Sequence, residues 1–448
     1  MNKINFITLG CSKNDVDTSL MKSVLNKDKF TVTNDVREAN IIIVNTCGFI
    51  NDAKEESIET ILEAAKFKDD EFGKCEKLIL AGCLAQRYPE DLLEAMPEVD
   101  GILGTGNISD INLFLENILE NNKVIKADNI NDTYLEGYKK AKENILKTEY
   151  VKISEGCNNN CTYCIIPKLR GRNRSRNIEN IVEEVKYLTD NGTEEIILIA
   201  QNTTDYGIDN YKDYKLHELI KEISLIPKVK WIRVMYLYPD HFTDDLIEEF
   251  KTNEKLVKYV DIPLQHISNN VLSKMNRRTN KEDVANLLNK LRESIENIVI
   301  RTTFIVGFPG ETDEDFDELI SFITENPIDK VGAFKYSREE DTLAFSMDEQ
   351  IDEEIKEDRL NSLMEEQQII SEKLLSKHVN TEIDVLIEEK ASEDTFVGRG
   401  FMDAPEIDGV VYIKSNDDLK IGDFVKVRIQ EALEYDLIGE IIWIYQIN

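Results

Sequence analysis

The chain has 448 residues, enough for roughly two to four domains, and its 41% hydrophobic content supplies each domain with a core. This composition excludes fibrous, collagen-like and disulfide-stapled classes. The 87 acidic and 54 basic side chains give a formal charge of −33, which repels phosphate backbones and anionic lipids. No apolar run reaches the length of a membrane span or of a signal peptide. We therefore expect a cytoplasmic protein that binds neither membranes nor DNA.

The first 120 residues alternate apolar strand patterns, at residues 3–9, 41–45 and 78–81, with helical patterns. This alternation predicts a doubly wound α/β domain with a parallel sheet, at residues 1–125. One cysteine follows each strand, and the three are spaced 36 residues apart: Cys11, Cys47 and Cys83. Because right-handed crossovers bring the carboxyl ends of parallel strands to one edge of the sheet, we expect these thiols to converge there.

Seven cysteines in a reducing compartment indicate metal binding or catalysis rather than disulfides. Cys75 precedes its strand and so lies at the opposite edge of the predicted sheet. We interpret it as a structural residue, because an isolated cysteine usually behaves as a small buried hydrophobe. Residues 126–145 are charged and lack a strong period, which predicts a linker.

A second β/α series begins near residue 146. Its strand patterns cover residues 150–154, 195–200, 231–237, 259–263, 298–306 and 331–336. Six β/α repeats are fewer than the eight of a complete TIM barrel, so we predict a partial (β/α)6 TIM-like barrel at residues 146–375. The carboxyl-terminal face of such a barrel is the face that carries catalysis.

A charged helix is predicted at residues 352–378, and its apolar stripe consists of Leu360, Leu363, Met364, Ile369 and Leu374. Residues 376–448 then change character to short β-rich runs punctuated by glycines. The runs cover residues 383–387, 409–413, 424–429 and 438–444. This pattern predicts a small antiparallel β-barrel.

Cys157, Cys161 and Cys164 form a C-x3-C-x2-C pattern directly after the first barrel strand. Three thiolates hold three irons of a cubane 4Fe-4S cluster and leave the fourth iron open. Zinc is the weaker alternative, because a structural zinc site needs a fourth ligand at short spacing. The loop resembles that of the radical S-adenosylmethionine (SAM) superfamily, with Tyr163 as its aromatic residue. The resemblance implies that SAM binds the open iron and is cleaved to a 5′-deoxyadenosyl radical.

The amino-terminal cysteines follow the same logic, since three thiols without an evident fourth ligand indicate a second cluster with an open iron. The segments LGCSKN at 9–14, NTCGFI at 45–50 and AGC at 81–83, ahead of a radical SAM loop and a small β-barrel, resemble the methylthiotransferases. The resemblance covers the whole chain. It implies an amino-terminal cluster domain, a radical SAM barrel and a TRAM domain.

Two branches of this family differ in substrate. One modifies adenosine in tRNA (MiaB-type), and the other modifies an aspartate of small-subunit ribosomal protein S twelve (RimO-type). Four segments resemble the second branch: residues 52–58, 235–239, 275–278 and 332–342. Asn202 departs from it, because this position resembles the tRNA branch. We predict the RimO-type activity, with the ribosomal protein free or in the small subunit as partner and an electron donor such as flavodoxin or ferredoxin.

The resemblance implies a mechanism with two SAM molecules. One methylates a sulfur species on the open iron at Cys11, Cys47 and Cys83, and the other yields the radical that takes hydrogen from the aspartate β-carbon. An unactivated C–H bond requires a radical, because no side-chain base has a suitable pKa. The competing interpretations are a tRNA methylthiotransferase and, from another class, a non-catalytic iron-sulfur electron carrier or scaffold.

The residues that we assign to SAM lie mostly at the catalytic face of the barrel, where the segment 307–310 resembles the SAM pocket of the family and residues 265–266 end the fourth strand. His266 is a hydrogen-bonding pocket residue or a proton-transfer base, and radical chemistry favours the former because it requires no general base. The segment 307–310 has an alternative interpretation as a tight turn with Thr312 as a helix N-cap. The assigned residues are Tyr163, Gln265, His266, Gly307, Phe308, Pro309 and Gly310.

Charge points to the same substrate. Residues 380–448 contain 16 acidic and 6 basic side chains, which suits a basic ribosomal protein better than tRNA phosphates, although solubility alone also explains them. We predict substrate contacts at Glu339, Glu340 and Asp341. A basic run after the cluster loop has three open interpretations: contact with ribosomal RNA, with the acidic domains, or with the SAM carboxylate. The run consists of Lys168, Arg170, Arg172, Arg174 and Arg176.

Overall fold

The computed structural model describes residues 1–120, 123–128, 130–131, 136–137, 139–415 and 419–444. The chain divides into two compact units. Unit 1 consists of Met1–Val229 and Ser337–Phe345, and unit 2 of Lys230–Tyr336 and Ser346–Asn448. The predicted linker at 126–145 lies partly outside the described residues. Among the described residues, no helix combines the length and the apolar character that crossing a bilayer requires.

Unit 1 begins with alternating strands and helices. The strands are β1 (Asn2–Thr8), β2 (Phe30–Val32), β3 (Ile41–Thr46), β4 (Lys77–Ala81), β5 (Gly101–Leu103) and β6 (Val124–Lys126). The helices are α1 (Ser12–Val24), α2 (Asn51–Ala65), α3 (Gly82–Arg87), α4 (Pro89–Ala95) and α5 (Ile111–Leu119). The strands form one sheet in the order β2-β1-β3-β4-β5-β6, and all neighbours run parallel.

This sheet is buried on both faces. Along β3, Ile41 and Ile43 enter the core formed with α1 and α5, whereas Ile42 and Val44 enter the core on the other face, formed with α2 and α3. Successive side chains of a strand point to opposite faces, so a strand buried on both sides is apolar throughout. The doubly wound amino-terminal fold predicted from the sequence is confirmed.

The remainder of unit 1 carries the first part of the second β/α series. Its elements are β7 (Thr148–Lys152), β8 (Ser154–Glu155), α6 (Ile166–Arg170), β9 (Arg174–Ser175), α7 (Ile178–Asp190), β10 (Glu195–Ile199) and α8 (Leu216–Ser224). Strands β7 and β10 pair in parallel. Strands β8 and β9 pair antiparallel and enclose the loop of Cys157, Cys161 and Cys164 between them.

Unit 2 continues the series with four more strands, so all six strands predicted for the partial barrel are present. Its first elements are β11 (Trp231–Val234), α9 (Asp244–Thr252), β12 (Tyr259–Asp261), α10 (Asn269–Lys274), α11 (Lys281–Ser294), β13 (Val299–Val306), α12 (Asp313–Glu325), β14 (Lys330–Lys335) and α13 (Glu353–Leu375). Strands β12, β13 and β14 form a parallel sheet. Thr312 caps α12 through a reciprocal capping box with Asp315, as the tight-turn interpretation predicted.

Helix α13 is present, but the prediction of its buried face was wrong in part. Ile369, from the predicted stripe, is 64% exposed, whereas Lys356, Arg359 and Gln367 are buried. These polar side chains are satisfied within unit 2, since Lys356 donates to the carbonyl oxygen of Tyr336 and Gln367 to that of Ile328. Buried polar groups with partners therefore replace part of the expected apolar stripe.

The carboxyl-terminal strands form a closed barrel. They are β15 (Glu382–Lys390), β16 (Thr395–Gly400), β17 (Val411–Lys414), β18 (Phe424–Ala432) and β19 (Leu437–Ile444), and the order is β15-β16-β17-β19-β18. The prediction of an antiparallel barrel was wrong for one pair, because β17 and β19 run parallel. Five strands in a closed ring cannot all alternate in direction, so one parallel pair is unavoidable.

Candidate functional site

The three amino-terminal cysteines lie at the carboxyl ends of neighbouring strands. Cys11 follows β1 as the N-cap residue of α1, Cys47 follows β3, and Cys83 lies in the first turn of α3 after β4. Burial raises the pKa of the Cys47 and Cys83 thiols, and the charge of Cys11 adds to the rise at both. Sheet order thus brings together three residues that are distant in sequence.

Glycines beside the cysteines permit this approach. Gly10 has a φ of +90°, and a Cβ on it would lie 3.0 Å from the sulfur of Cys47. Gly82 has a φ of +88°, and a Cβ on it would lie 2.3 Å from Oδ1 of Asn45. Both the left-handed backbone and the lack of space require glycine at these positions. No larger residue fits between the loops that carry the thiols.

Asn14 braces the same loops. Its Nδ2 donates to the carbonyl oxygens of Leu9 and Thr46, at 2.8 and 3.1 Å. Leu9 lies two residues before Cys11, and Thr46 lies directly before Cys47. The hydroxyl of Thr46 in turn donates to the carbonyl oxygen of Ala81 at 2.6 Å. Side-chain hydrogen bonds therefore tie together the ends of β1, β3 and β4.

The environment of Cys83 combines apolar burial with one cation. Burial raises the pKa of its thiol to about 11, and the guanidinium of Arg170 opposes this effect. Nη2 of Arg170 lies 3.5 Å from the sulfur of Cys83. The thiol also packs against Ile165 and Leu169, which follow the second cysteine loop. A buried thiol is inert unless a metal or a cation favours its thiolate.

The second cysteine trio occupies a single loop between β8 and α6. The amide of Cys157 donates to the carbonyl oxygen of Gly171 at 3.0 Å, and the amide of Cys164 donates to that of Cys161 at 3.0 Å. The amide of Asn159 points to the sulfur of Cys157 at 3.4 Å. The three cysteines are all partly exposed, and so is Tyr163. The loop thus holds its thiols close to the surface of unit 1.

The donor chemistry of both trios fits iron-sulfur clusters. All seven cysteines belong to the described residues, and none forms a disulfide. As the side chains stand, no group of three His, Cys, Asp or Glu in the described ranges is arranged to hold a metal ion. Three thiols at each place nevertheless supply the ligand type and number that an open 4Fe-4S cluster takes from a protein. Both trios are therefore candidate cluster sites.

Cys75 lies apart from both trios. Its side chain is 5% exposed within the core between β3, β4 and α2, and its sulfur contacts the carbonyl oxygen of Lys77 at 3.3 Å. Burial raises the pKa of the thiol to about 11. The structural interpretation of Cys75 is confirmed by this position.

In unit 2, residues 307–310 form a buried turn after β13. Phe308 is fully buried and packs edge-on against Tyr336, with ring centroids 5.2 Å apart, so its side chain belongs to the core. Gly307 and Gly310 have φ near +70°, and Pro309 between them is also buried. If this segment meets SAM, as the resemblance implies, Phe308 can take part only through its backbone.

Glu311 organises this turn, although the sequence analysis did not single it out. Its carboxylate accepts from the amide of Phe308 at 3.1 Å and from the guanidinium of Arg359 at 2.9 Å. Burial raises the pKa of Glu311 to about 7, and Arg359 opposes that rise. The Gly-Glu-Thr sequence at 310–312 was the available signal for this role.

His266 and Gln265 border the same turn. Nδ1 of His266 accepts from the amide of Ser268 at 3.0 Å, and Nε2 lies 3.7 Å from Glu311. Burial lowers the pKa of His266 to about 3, which favours a neutral hydrogen-bonding residue over a proton-transfer base. Gln265 has a φ of +73° while its amide donates to Thr303 on β13 at 2.8 Å. This strained backbone lies where we predicted SAM contacts.

The predicted substrate residues fall into two groups. Glu340 and Asp341 are exposed, but Glu339 is only 2% exposed. The carboxylate of Glu339 accepts from Lys54 at 2.9 Å and from Arg87 at 2.8 Å. The charge of Glu339 is therefore neutralised inside unit 1, which favours Glu340 and Asp341 for the predicted substrate contact. The sequence pattern around Glu339 does not indicate its distant partners Lys54 and Arg87.

The basic run is also divided by burial. Lys168 and Arg172 are exposed, whereas Arg170 and Arg176 are buried and paired with carboxylates. Arg170 contacts Asp17 at 2.7 Å, so for this residue the interpretation of pairing with an acidic neighbour is the one that the structure supports. Sequence reasoning gave no role to Asn14, although it ends the LGCSKN segment, and it missed Asp17, which lies on α1 outside any motif.

Comparisons with known proteins agree along the whole chain. The Radical SAM superfamily matches residues 151–323, the Uncharacterized protein family UPF0004 matches residues 3–104, and the TRAM domain matches residues 379–442. A ribosomal protein uS12 methylthiotransferase RimO of Clostridium botulinum (strain Eklund 17B / Type B) is 50% identical, covering 98% of this chain and 97% of its own. That of Clostridioides difficile (strain 630) is 47% identical, covering 99% of each chain.

Solved structures support the fold. The radical S-adenosylmethionine methyltransferase TsrM from Kitasatospora setae, solved with cobalamin and a [4Fe-4S] cluster bound, superimposes with a TM-score of 0.52. The superposition covers 75% of each chain at 15% sequence identity. At that identity the similarity concerns the fold alone, and it agrees with the partial barrel predicted from the sequence.

Proposed function

Because the chain belongs to the family of ribosomal protein uS12 methylthiotransferases, we propose that it attaches a methylthio group to the β-carbon of an aspartate in ribosomal protein uS12. The observation that carries this proposal is the identity of 50% across 98% of the chain. It is accompanied by two cysteine trios within one compact unit. The family membership and the radical SAM domain make the protein an iron-sulfur enzyme that uses SAM.

We further propose two 4Fe-4S clusters, one at each trio. The first would be held by Cys11, Cys47 and Cys83 and the second by Cys157, Cys161 and Cys164. When bound, the clusters and SAM supply the radical and sulfur chemistry that replacing an unreactive C–H bond requires. The chain contributes thiolates for three irons per cluster, glycines that let the loops approach, and a buried Arg170 beside Cys83.

We also propose which residues bind SAM. The braced turn at 307–310 and the strained Gln265 lie after β13 and β12, and parallel barrel strands present ligand sites at their carboxyl ends. The Glu311 carboxylate holds the backbone of this turn through the amide of Phe308, and neutral His266 lies 3.7 Å from that carboxylate. In this proposal the segment binds SAM through backbone groups while Phe308 anchors the turn in the core.

The substrate assignment gains support from the charge of the carboxyl-terminal barrel. Its exposed carboxylates would attract a basic ribosomal protein, free or in the small subunit, and repel tRNA phosphates. We propose flavodoxin or ferredoxin as the class of electron donor. Among the described residues of the barrel, the exposed acidic ones are Glu382, Glu389, Glu393, Asp394, Glu406, Glu431, Glu434 and Glu440.

Mass spectrometry of ribosomal protein uS12 tests this function. Cells that produce the protein should carry a methylthio group on one uS12 aspartate, and cells without it should not. A strain producing Cys161→Ala is the matched control, because it keeps the chain but loses one ligand of the radical SAM loop. Unmodified uS12 together with methylthiolated tRNA would instead favour the tRNA branch, which Asn202 resembles at its position. Asn202 is 2% exposed and accepts from the hydroxyl of Thr204 at 2.7 Å.

A further inference from the structure

The buried guanidinium of Arg170 contacts the amino-terminal cysteine site, although Arg170 follows the second cysteine loop in the sequence. Arg170 is 2% exposed and ends α6, six residues beyond Cys164. Its Nη2 lies 2.7 Å from Oδ1 of Asn14 and 3.5 Å from the sulfur of Cys83. The helix that follows one cysteine loop therefore places a permanent positive charge against a thiol of the other trio.

The charges around Arg170 are closely balanced. Nη1 of Arg170 contacts Asp17 at 2.7 Å and Glu155 at 3.2 Å. Lys152, 1% exposed, bridges the same two carboxylates. Two cations and two anions compensate one another here, as buried charges must. Of these four charged side chains, Arg170 is the one that contacts Cys83, through Nη2. The carboxylates bind Nη1 instead, so they offset its positive charge at the thiol only in part.

We propose that Arg170 is a positioning residue that raises the reduction potential of the cluster held by Cys11, Cys47 and Cys83. The inference rests on the proposed function, since it needs that cluster. Reduction adds a negative charge, and a buried cation with an N–H directed at a ligand sulfur stabilises the more negative state. Low dielectric around the group strengthens the effect, because little water screens it.

The test uses potentiometric titration of the amino-terminal cluster alone. Replacing Cys157, Cys161 and Cys164 together by Ala supplies a background with one cluster, reconstituted anaerobically and followed by electron paramagnetic resonance. In this background Arg170→Met should shift the midpoint potential to a more negative value. Asp17→Asn should shift it to a more positive value, because it removes an anion and leaves the guanidinium in place.

Shifts of opposite sign in the midpoint potential distinguish this electrostatic role from a structural one. If Arg170 and Asp17 served only to hold the loops together, both substitutions would disturb the cluster in the same direction. Arg170→Lys should restore part of the potential, since it returns the charge without the planar fork. Arg172→Met is the matched control, because it removes the same charge from an exposed position two residues away and should leave the potential unchanged.

Iron analysis of each variant makes the possible failures distinguishable. A background protein without iron would overturn both the proposed cluster at Cys11, Cys47 and Cys83 and this inference. A background with about four irons whose potential is the same with Arg170→Met would overturn the inference alone. If Arg170→Met does not fold, Asp17→Asn decides: a positive shift supports the role of Arg170, and a negative shift or none overturns it.

Discussion

The two cysteine sites of unit 1 are built in different ways. Cys157, Cys161 and Cys164 belong to one loop between β8 and α6, and a few backbone hydrogen bonds shape that loop. The amino-terminal thiols arrive instead from the ends of β1, β3 and β4. Their approach depends on sheet order, on glycines without space for a Cβ and on the side chain of Asn14. A local site tolerates changes elsewhere, whereas a site assembled from three strand ends depends on packing throughout its domain.

The largest effect is expected from removing the local site. Replacing Cys157, Cys161 and Cys164 together by Ala should abolish formation of 5′-deoxyadenosine and leave about four irons per chain, because the other trio still anchors one cluster. Iron analysis and chromatography of the products check both results. SAM cleavage that persists in this variant would contradict the assignment of the loop, and loss of all iron would contradict the cluster proposed at Cys11, Cys47 and Cys83.

The next effect concerns the non-local site. Gly82→Ala should lower the free energy of unfolding by more than about 1 kcal/mol and reduce the iron bound at the amino-terminal trio, because the new Cβ meets Asn45 in a left-handed backbone. Gly192→Ala is the matched control, since Gly192 also has a positive φ but no atom within 4 Å of its Cβ position. Thermal unfolding and iron analysis distinguish the two. Equal iron content in both variants would contradict the packing argument.

An effect on stability and substrate encounter, with all cluster ligands retained, should separate Glu339 from Glu340. Glu339→Gln leaves Lys54 and Arg87 without their buried partner and should cost roughly 3 kcal/mol of stability at any salt concentration. Glu340→Gln should leave stability unchanged and slow methylthiolation of a uS12 peptide at low salt only, because exposed charges are screened within about 8 Å at physiological ionic strength. Denaturation curves and rates at two salt concentrations check both. Loss of stability with Glu340→Gln would contradict this division.

The smallest effect is expected at Cys75. Cys75→Ala should retain the full iron content and lose at most about 1 kcal/mol of stability, because a small side chain leaves the core and no cluster ligand is removed. Iron analysis beside thermal unfolding checks this expectation. Loss of the amino-terminal iron in this variant would mean that the edge assignment of the three other cysteines is wrong.

The sequence predicted the helices and strands well, because these follow from short-range patterns. The six barrel strands and the convergence of Cys11, Cys47 and Cys83 follow from apolar periodicity and from the chain-crossing rule. Partners distant in sequence could not be predicted. In the sequence, Arg170 and Arg172 belong to the same basic run and look alike. In the structure, Arg170 is buried beside Cys83, whereas Arg172 is exposed.

Polar burial was the second limit of sequence reasoning. The buried face of α13 carries Lys356, Arg359 and Gln367, which an apolar stripe cannot reveal because their partners lie on other elements. Glu339 was assigned to the substrate for the same reason, since a carboxylate beside two others resembles a charged rim. Only the positions of Lys54 and Arg87 show that its charge is internal.

The segment Ser337–Phe345 has a consequence for how the protein is made. It belongs to unit 1 although it is synthesised more than a hundred residues after the rest of that unit. Glu339 pairs with Lys54 and Arg87, beyond Cys47 and Cys83, and the amide of Ala344 donates to the carbonyl oxygen of Thr162 within the other cysteine loop. A nascent chain on the ribosome therefore lacks these contacts beside both cysteine sites until residue 345 has been added. Iron loading during synthesis would meet looser loops than those of the finished protein.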